Sequence, residues 1–234
     1  MDDMARDSVK RRGESAKPAP PKAEAPREKT RTNDPDRTRA NIIAVATHEF
    51  SEKGLSGARI DEIAERTHTS KRMIYYYFES KEGLYRAVLE DCYRRIRTIE
   101  STLDLKTKPP LEALAQLVRF TFDYQLANPD FIRMVMVENI HHGEHIAQLP
   151  SLQTTNLDAI DSLRDIVARG VAEGVMRKDI DPIDLHMSIS ALCFFNVGNR
   201  HTFSTIFKVD MTTPAASAAR RESVTDMILR SVAP

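Results

Sequence analysis

An all-α protein is predicted by three features of the sequence. Glycine is sparse, at 8 of 234 residues. Apolar residues recur at three- and four-residue steps in long stretches, and Leu, Ala, Arg and Glu are frequent. The length suffices for one sizeable domain or two small ones sharing a core. Lys and Arg total 34 and Asp and Glu total 34, so the formal net charge is zero. That balance argues against a generally sticky polyanion binder and is compatible with local basic patches. No apolar run is long enough to span a bilayer, and the N-terminus has no apolar signal core. Cys92 and Cys193 each sit in an apolar stretch, as buried small hydrophobes of a reducing compartment do. A cytoplasmic location without a membrane partner is therefore expected.

Residues 1–32 carry four prolines, charges of both signs and almost no aliphatic side chains, the composition of a disordered tail. Its clusters Lys10-Arg11-Arg12 and Arg27 to Arg31 are a solvated tail, or else an arm for phosphates or a minor groove. Residues 33–80 read as a small helical head. Asn33 or Asp34 caps its first helix and Pro35 takes the first position, where the missing N–H costs nothing. Ile42, Ile43, Ala46 and Phe50 form the inner stripe, and Gly54 ends it. Arg37 and Arg39 near its start are DNA-backbone contacts or plain surface charges. Ile60, Ile63 and Ala64 line one face of a short second helix, with Asp61, Glu62, Glu65 and Arg66 opposite.

After a tight turn, Ser70 caps a third helix with its hydroxyl. Lys71 and Arg72 fall in its first turn, against the preference of a helix N-terminus for anions. Two cations there suit a recognition helix, whose N-terminal residues meet base edges in a major groove. Met73, Ile74, Tyr77 and Phe78 anchor the helix, while Tyr75 and Tyr76 point outward with hydroxyls in reach of phosphates. Ser80 caps the next helix, and Lys81 in its first turn suits a phosphate. Two short helices joined by a tight turn, the second cationic at its start, make a helix-turn-helix.

Phe50, Gly54, Ile60, Ile63-Ala64, Ser70, Tyr75-Tyr76-Tyr77-Phe78, Ser80-Lys81-Glu82 and Leu84 resemble the N-terminal domain of the TetR/AcrR transcriptional regulators, over roughly residues 36–90. The resemblance implies an all-helical protein with a three-helix DNA-binding head and a larger ligand-binding body. It also implies a homodimer that represses until a small-molecule effector binds. Carried over, Thr69, Lys71, Arg72 and Tyr75 face bases, with Ser70 beside them, and Tyr76 and Lys81 touch phosphates of double-stranded operator DNA. The chain departs from the family at His68, in place of the usual Gly or Asn in the turn. It departs again at Ala58, in place of a phosphate-binding Thr that Arg59 or Ser56 would replace.

Residues 81–234 read as the body. A helix from Lys81 to about Ser101 carries Leu84, Val88, Cys92, Ile96, Ile99 and Leu103 on one side and links head to body. Helices follow at 111–128, 130–142, 152–173 and 182–203. Leu157, Ile160, Leu163, Ile166, Val167 and Val171 are expected inside the third of these. The segment from Ile183 to Val197 is apolar nearly all round, which suits burial against both the core and a second subunit. A last helix, Ser217 to Val232, turns Val224, Met227, Ile228 and Val232 inward, and the resemblance implies pairing through the last two helices.

A mostly apolar small-molecule pocket is expected among the body helices, lined by Phe120, Tyr124, Phe131, Met134, Val137, Phe194 and Phe195. Asn196, Asn199, Arg200 and His201 add polar groups at one end, and a partly buried Arg200 invites a carboxylate from the protein or a ligand. No cofactor is expected. Glu138, His141, His142 and His145 raise an alternative, a metal-dependent hydrolase on a helical bundle. Exposed or hydrogen-bonded histidines at a helix end are the plainer reading, because a zinc site needs three or four convergent ligands.

Overall fold

The structure is a computed structural model that describes residues 34–234, apart from the side chains of Gln153, Thr155 and Asp158. The expected tail, and Asn33 as a cap, lie outside the described residues. The described elements are helical throughout. The head comprises α1 (Pro35–Gly57), α2 (Ile60–Arg66) and α3 (Lys71–Phe78), and α4 (Lys81–Glu100) leads out of it. The body adds α5 (Pro110–Ala127), α6 (Pro129–Ile140), α7 (Pro150–Ala172), α8 (Pro182–Gly198), α9 (Arg200–Phe207) and α10 (Pro214–Val232). Pro35, Pro110, Pro129, Pro150, Pro182 and Pro214 each open a helix, where the fixed φ is already helical and the missing N–H has no partner to lose.

The head folds on the stripe its sequence spells. Ile42, Ala46 and Phe50 of α1 have no exposed surface, and Ile63 and Ile74 join them from α2 and α3. Each such side chain contributes about 1.5–3 kcal/mol on burial. Gly54 kinks α1 in its last turns with φ +66°, in the left-handed region that favours glycine. α4 closes the head from below. Its Tyr85 ring meets Phe50 edge-on at 5.2 Å, and Leu84 and Val88 are fully buried.

Two apolar clusters hold the rest. One runs without a break from the head through α4 to Phe131, Ile132 and Met134 of α6. The other joins α5, α7, α8 and α10 around Leu114, Leu163, Ile189 and Val224. α4 is thus the covalent link between head and body, and the packing of α1 on α6 is a second link that sequence periodicity did not reveal.

Several expectations are corrected. Ile99 is 46% exposed because it faces an open groove beside Phe120 and Tyr124 rather than the core. Leu157 is 60% exposed. It lies about 120° from Leu163 around α7, at about 100° per residue, while Leu152, Ala159 and Ile166 share the buried face. The helix expected at 182–203 breaks at Asn199, and a separate α9 follows. Met227 is 37% exposed, at the edge of the stripe formed by Val224, Ile228 and Val232.

Candidate nucleic-acid interface and ligand cavity

The turn between α2 and α3 is fixed by short local bonds. The Thr67 hydroxyl donates to the Ile63 carbonyl at 2.7 Å, and the Thr69 N–H reaches the Ala64 carbonyl at 3.0 Å. His68 occupies the left-handed region at φ +52°, where glycine is the easier resident. The Ser70 hydroxyl accepts the Met73 N–H at 3.2 Å and so caps α3. At the other end, Ser80 accepts the Gly83 N–H at 2.9 Å and caps α4. A Cβ at Gly83 would lie 2.0 Å from the Phe78 carbonyl oxygen, so the approach of α4 to α3 requires glycine.

This frame presents one face of α3. Ile74 and Phe78 are buried, while Tyr75 is 44% and Tyr76 77% exposed. Lys71 and Arg72 are exposed in the first turn. Their surroundings differ. Lys71 forms an ion pair with Asp61, whose carboxyl it holds below the usual range. Arg72 has no ion pair among the described residues. Arg59 lies 3.7 Å from Asp61 and 4.0 Å from Glu62. Thr69 is half-buried and Ser70 exposed. Lys81 donates to the Ser56 carbonyl at 3.2 Å, beside the turn that leads into α2. Ala58 is a core residue, 3% exposed.

Glu49 is a feature the sequence reading missed. Only 3% exposed, it accepts the Arg59 N–H at 3.2 Å and pairs with Lys53 at 2.9 Å. It thereby satisfies a donor at the start of α2, where no side chain of α2's own cap does so. The available signal was its four-residue spacing from Lys53 next to the core residue Phe50.

In the body a cavity of about 710 Å³ opens among α4, α5, α6, α7 and α8. Tyr93, Ile96, Phe131, Ile132, Val135 and Phe194 supply apolar wall. Arg97, Glu100, Gln125, Asn156 and His186 supply polar groups. Arg97 pairs with Glu100 and donates from Nε to Asn156 Oδ1 at 3.0 Å, joining α4 to α7. Burial pushes the Glu100 carboxyl up, and burial followed by the nearby Arg97 pushes His186 down. The Gln125 Oε1 is buried and accepts no hydrogen bond from the described residues.

The structure distributes the expected pocket residues widely. Phe131 and Phe194 stand in the cavity wall. Phe120 and Tyr124 line a neighbouring groove between α4 and α5. Met134 is fully buried in the core, with Val137 packed against it. Phe195 is 40% exposed and stacks edge-on with Phe203. Asn196 is buried, Asn199 is exposed, and Arg200 and His201 line a separate small pocket. Arg97, Gln125 and His186 were missed. Arg97 is one of four arginines in α4, and only packing tells which of them turns inward.

A helix-turn-helix with an exposed, cationic recognition helix, carried on a helical body with an internal cavity, defines a DNA-binding regulator. Residues 42–88 match the bacterial regulatory proteins of the tetR family, and residues 110–228 match the tetracyclin repressor-like C-terminal domain. The chain belongs to the TetR family of transcriptional regulators. It is 37% identical over 202 residues to the HTH-type transcriptional repressor NicS of Pseudomonas putida, covering 86% of this chain and 95% of that protein. It is 32% identical over 143 residues to the repressor SCO4008 of Streptomyces coelicolor, covering 59% and 69%. The crystal structure of the regulator SCO4942 of Streptomyces coelicolor superposes with a TM-score of 0.64 at 28% identity, covering 83% of this chain and 98% of that one. The ketosteroid regulator KstR2 of Mycobacterium tuberculosis shares the fold, with a TM-score of 0.60 at 19% identity over 87% and 97%.

The hydrolase alternative is set aside, since the family consists of regulators and not enzymes. The geometry gives the carboxylate another task. Glu138 is 1% exposed, and its Oε1 accepts the N–H groups of His145 and Ile146 at 2.8 and 2.9 Å. Glu138 Oε2 lies 3.2 Å from His145 Nδ1. The cluster is a clasp that folds the chain back after α6, while His142 is exposed at φ +55°. Burial raises the thiols of Cys92 and Cys193 to about 12 each, which leaves them unreactive. Among the described residues no helix is long and apolar enough to cross a membrane.

Proposed function

We propose that the chain is a homodimeric repressor that leaves its operator when a small molecule enters the 710 Å³ cavity. The observation that carries this reading is the span of α4. Its first turn is capped by Ser80 against the recognition helix, and its last turns put Tyr93, Ile96, Arg97 and Glu100 into the cavity wall. A ligand that displaces those residues moves the helix that supports the head. α6 gives the same signal a second route, from Phe131, Ile132 and Val135 in the wall to its contact with α1. The effect on DNA equals the ligand's difference in affinity for the two states and no more.

In this reading Lys71, Arg72, Thr69 and Tyr75 contact bases, with Ser70 beside them. Arg59, Tyr76 and Lys81 contact phosphates. Dimer contact falls on α8 and α10, where Ile183, Met187 and Met227 are 62%, 61% and 37% exposed in the single chain. Such apolar surface is what a partner subunit covers. Two heads then meet successive major grooves about 34–36 Å apart on a pseudo-palindrome. Selection of binding sites from random duplex DNA at two salt concentrations tests this. A pseudo-palindrome whose affinity falls steeply with salt is the expected outcome. A folded dimer that enriches no sequence, even after unfolding and refolding to strip bound ligand, overturns it.

A further inference from the structure

A second, smaller pocket of about 180 Å³ lies between α6 and the junction of α8 with α9. Its polar wall is Arg133, Arg200 and His201, and among the described residues no Asp or Glu contributes to it. Pro129, Ile132, Met136 and Val197 give the apolar remainder. We propose that this pocket is a ligand site of its own, which takes the carboxylate of a short-chain organic acid on Arg200 and seats the hydrocarbon tail on the apolar wall.

The Nε of Arg200 is buried and has no hydrogen-bond partner among the described residues. The Nδ2 of Asn196 and the Oγ of Ser204 share that condition, although neither lines the pocket. Asn196 is only 3% exposed. Buried donors ordinarily find an acceptor, so an unpartnered Nε on a half-buried guanidinium leaves room for one from a ligand. Arg200 belongs to the pocket's wall, and a wall that carries Arg133, Arg200 and His201 with no acid among the described residues selects a ligand that brings acceptor oxygens.

A carboxylate matches a guanidinium in shape as well as charge, through two parallel hydrogen bonds. The volume is below that of pockets for drug-sized molecules, which begin near roughly 300 Å³, so the guest is small. The four apolar side chains distinguish an organic acid from a bare oxyanion, since inorganic phosphate gains nothing from hydrocarbon contact.

The pocket also touches the head. Arg133 pairs across to Glu52 of α1 and lies 4.0 Å from Asp130. A carboxylate in the pocket competes with Glu52 for that guanidinium and loosens a bond between body and head. Ile132 belongs to the walls of both cavities, so the two sites share a partition. Binding here stands independently of the proposed operator release, because it is measured on the protein without DNA.

Calorimetric titration of the full chain with butyrate, butyramide and inorganic phosphate tests the site. Butyrate binds saturably, and the neutral amide and phosphate bind at least about tenfold more weakly, as the loss of a charge-assisted bond or of the apolar contact predicts. Arg200→Gln weakens butyrate by about tenfold or more, whereas Arg97→Gln, in the large cavity, leaves it within about twofold. Met136→Trp fills the pocket from a residue that is already 39% exposed, and it abolishes binding even if Arg200→Gln does not fold. Absence of saturable butyrate binding overturns the proposal. So does equal affinity for the amide or phosphate, or affinity lost in Arg97→Gln and retained in the other two variants.

Discussion

The head and the body of this protein treat polar groups in opposite ways. In the head, every buried side-chain donor and acceptor described between residues 34 and 84 has a partner. Ser70 and Ser80 cap their helices, Thr67 closes α2, and the buried Glu49 holds the Arg59 N–H and Lys53. From Tyr85 onward unpartnered groups appear, among them Gln125, Asn196, Arg200 and Ser204. Two of the body's cavities are lined by Gln125 and Arg200 respectively. A surface that must meet a rigid duplex gains from a saturated, inflexible frame. A cavity that must accept a guest keeps groups unpaired until the guest arrives, at a cost in stability.

The largest expected effect lies in the head's frame. Gly83→Ala puts a Cβ against the Phe78 carbonyl, a backbone atom that cannot swing aside. A loss of about 3 kcal/mol in urea unfolding is expected, at the upper end for overpacking. A loss below about 0.5 kcal/mol, the level of an ordinary surface change, means that α3 and α4 can separate freely and that the head is less rigid than its bonding implies.

Next comes the recognition face. Arg72→Ala lowers operator affinity by roughly tenfold to a hundredfold with unchanged unfolding, as the loss of a base contact does. Lys71→Ala costs less, because Lys71 is already paired with Asp61 and must leave it to reach DNA. Equal effects in quantitative mobility-shift titrations sink the distinction between the free and the held cation.

These head residues were legible because their signals are local. A cap is a hydroxyl followed three residues later by an N–H, and Ser70 and Ser80 announce that spacing without any tertiary contact. The stripe of Ile42, Ile43, Ala46 and Phe50 is likewise a property of one helix. The cavity has no such signal. Whether an apolar residue fills space or borders it depends on the length of neighbours across the bundle. Phe194 reaches the cavity while Phe195, one residue and about 100° further on, faces outward toward Phe203. Arg97, Gln125 and His186 come from three helices, and no spacing within one helix brings them together. The break at Asn199 was hidden because apolar residues continue on both sides of it.

Gln125→Leu removes a buried acceptor that has no donor among the described residues and replaces it with a side chain of similar size. Stability is expected to rise by about 1 kcal/mol, because a buried unsatisfied polar group costs about 1–3 kcal/mol. A fall of similar size shows that Gln125 is satisfied within the protein and that the body is as saturated as the head.

The smallest effect concerns protons in the same wall. Burial holds the imidazole of His186 below its ordinary value of 6.5, so the folded protein keeps it neutral where the unfolded chain protonates it. The unfolded state then binds more protons, and this contribution is complete above pH 6.5 and is lost as pH falls through the lower, folded value. Glu100 runs the other way. Its carboxyl is raised above 4.5, so its contribution is complete below that pH and is lost as pH rises through the raised value. His186→Gln removes only the first of these. Between pH 7 and pH 5.5 the parent protein is expected to lose on the order of 1–2 °C more in Tm than the variant. A parent that loses less than His186→Gln over that interval means the imidazole is protonated in the fold and pairs with an anion. The cavity then carries a positive charge beyond Arg97, and its preference among guests shifts toward acids.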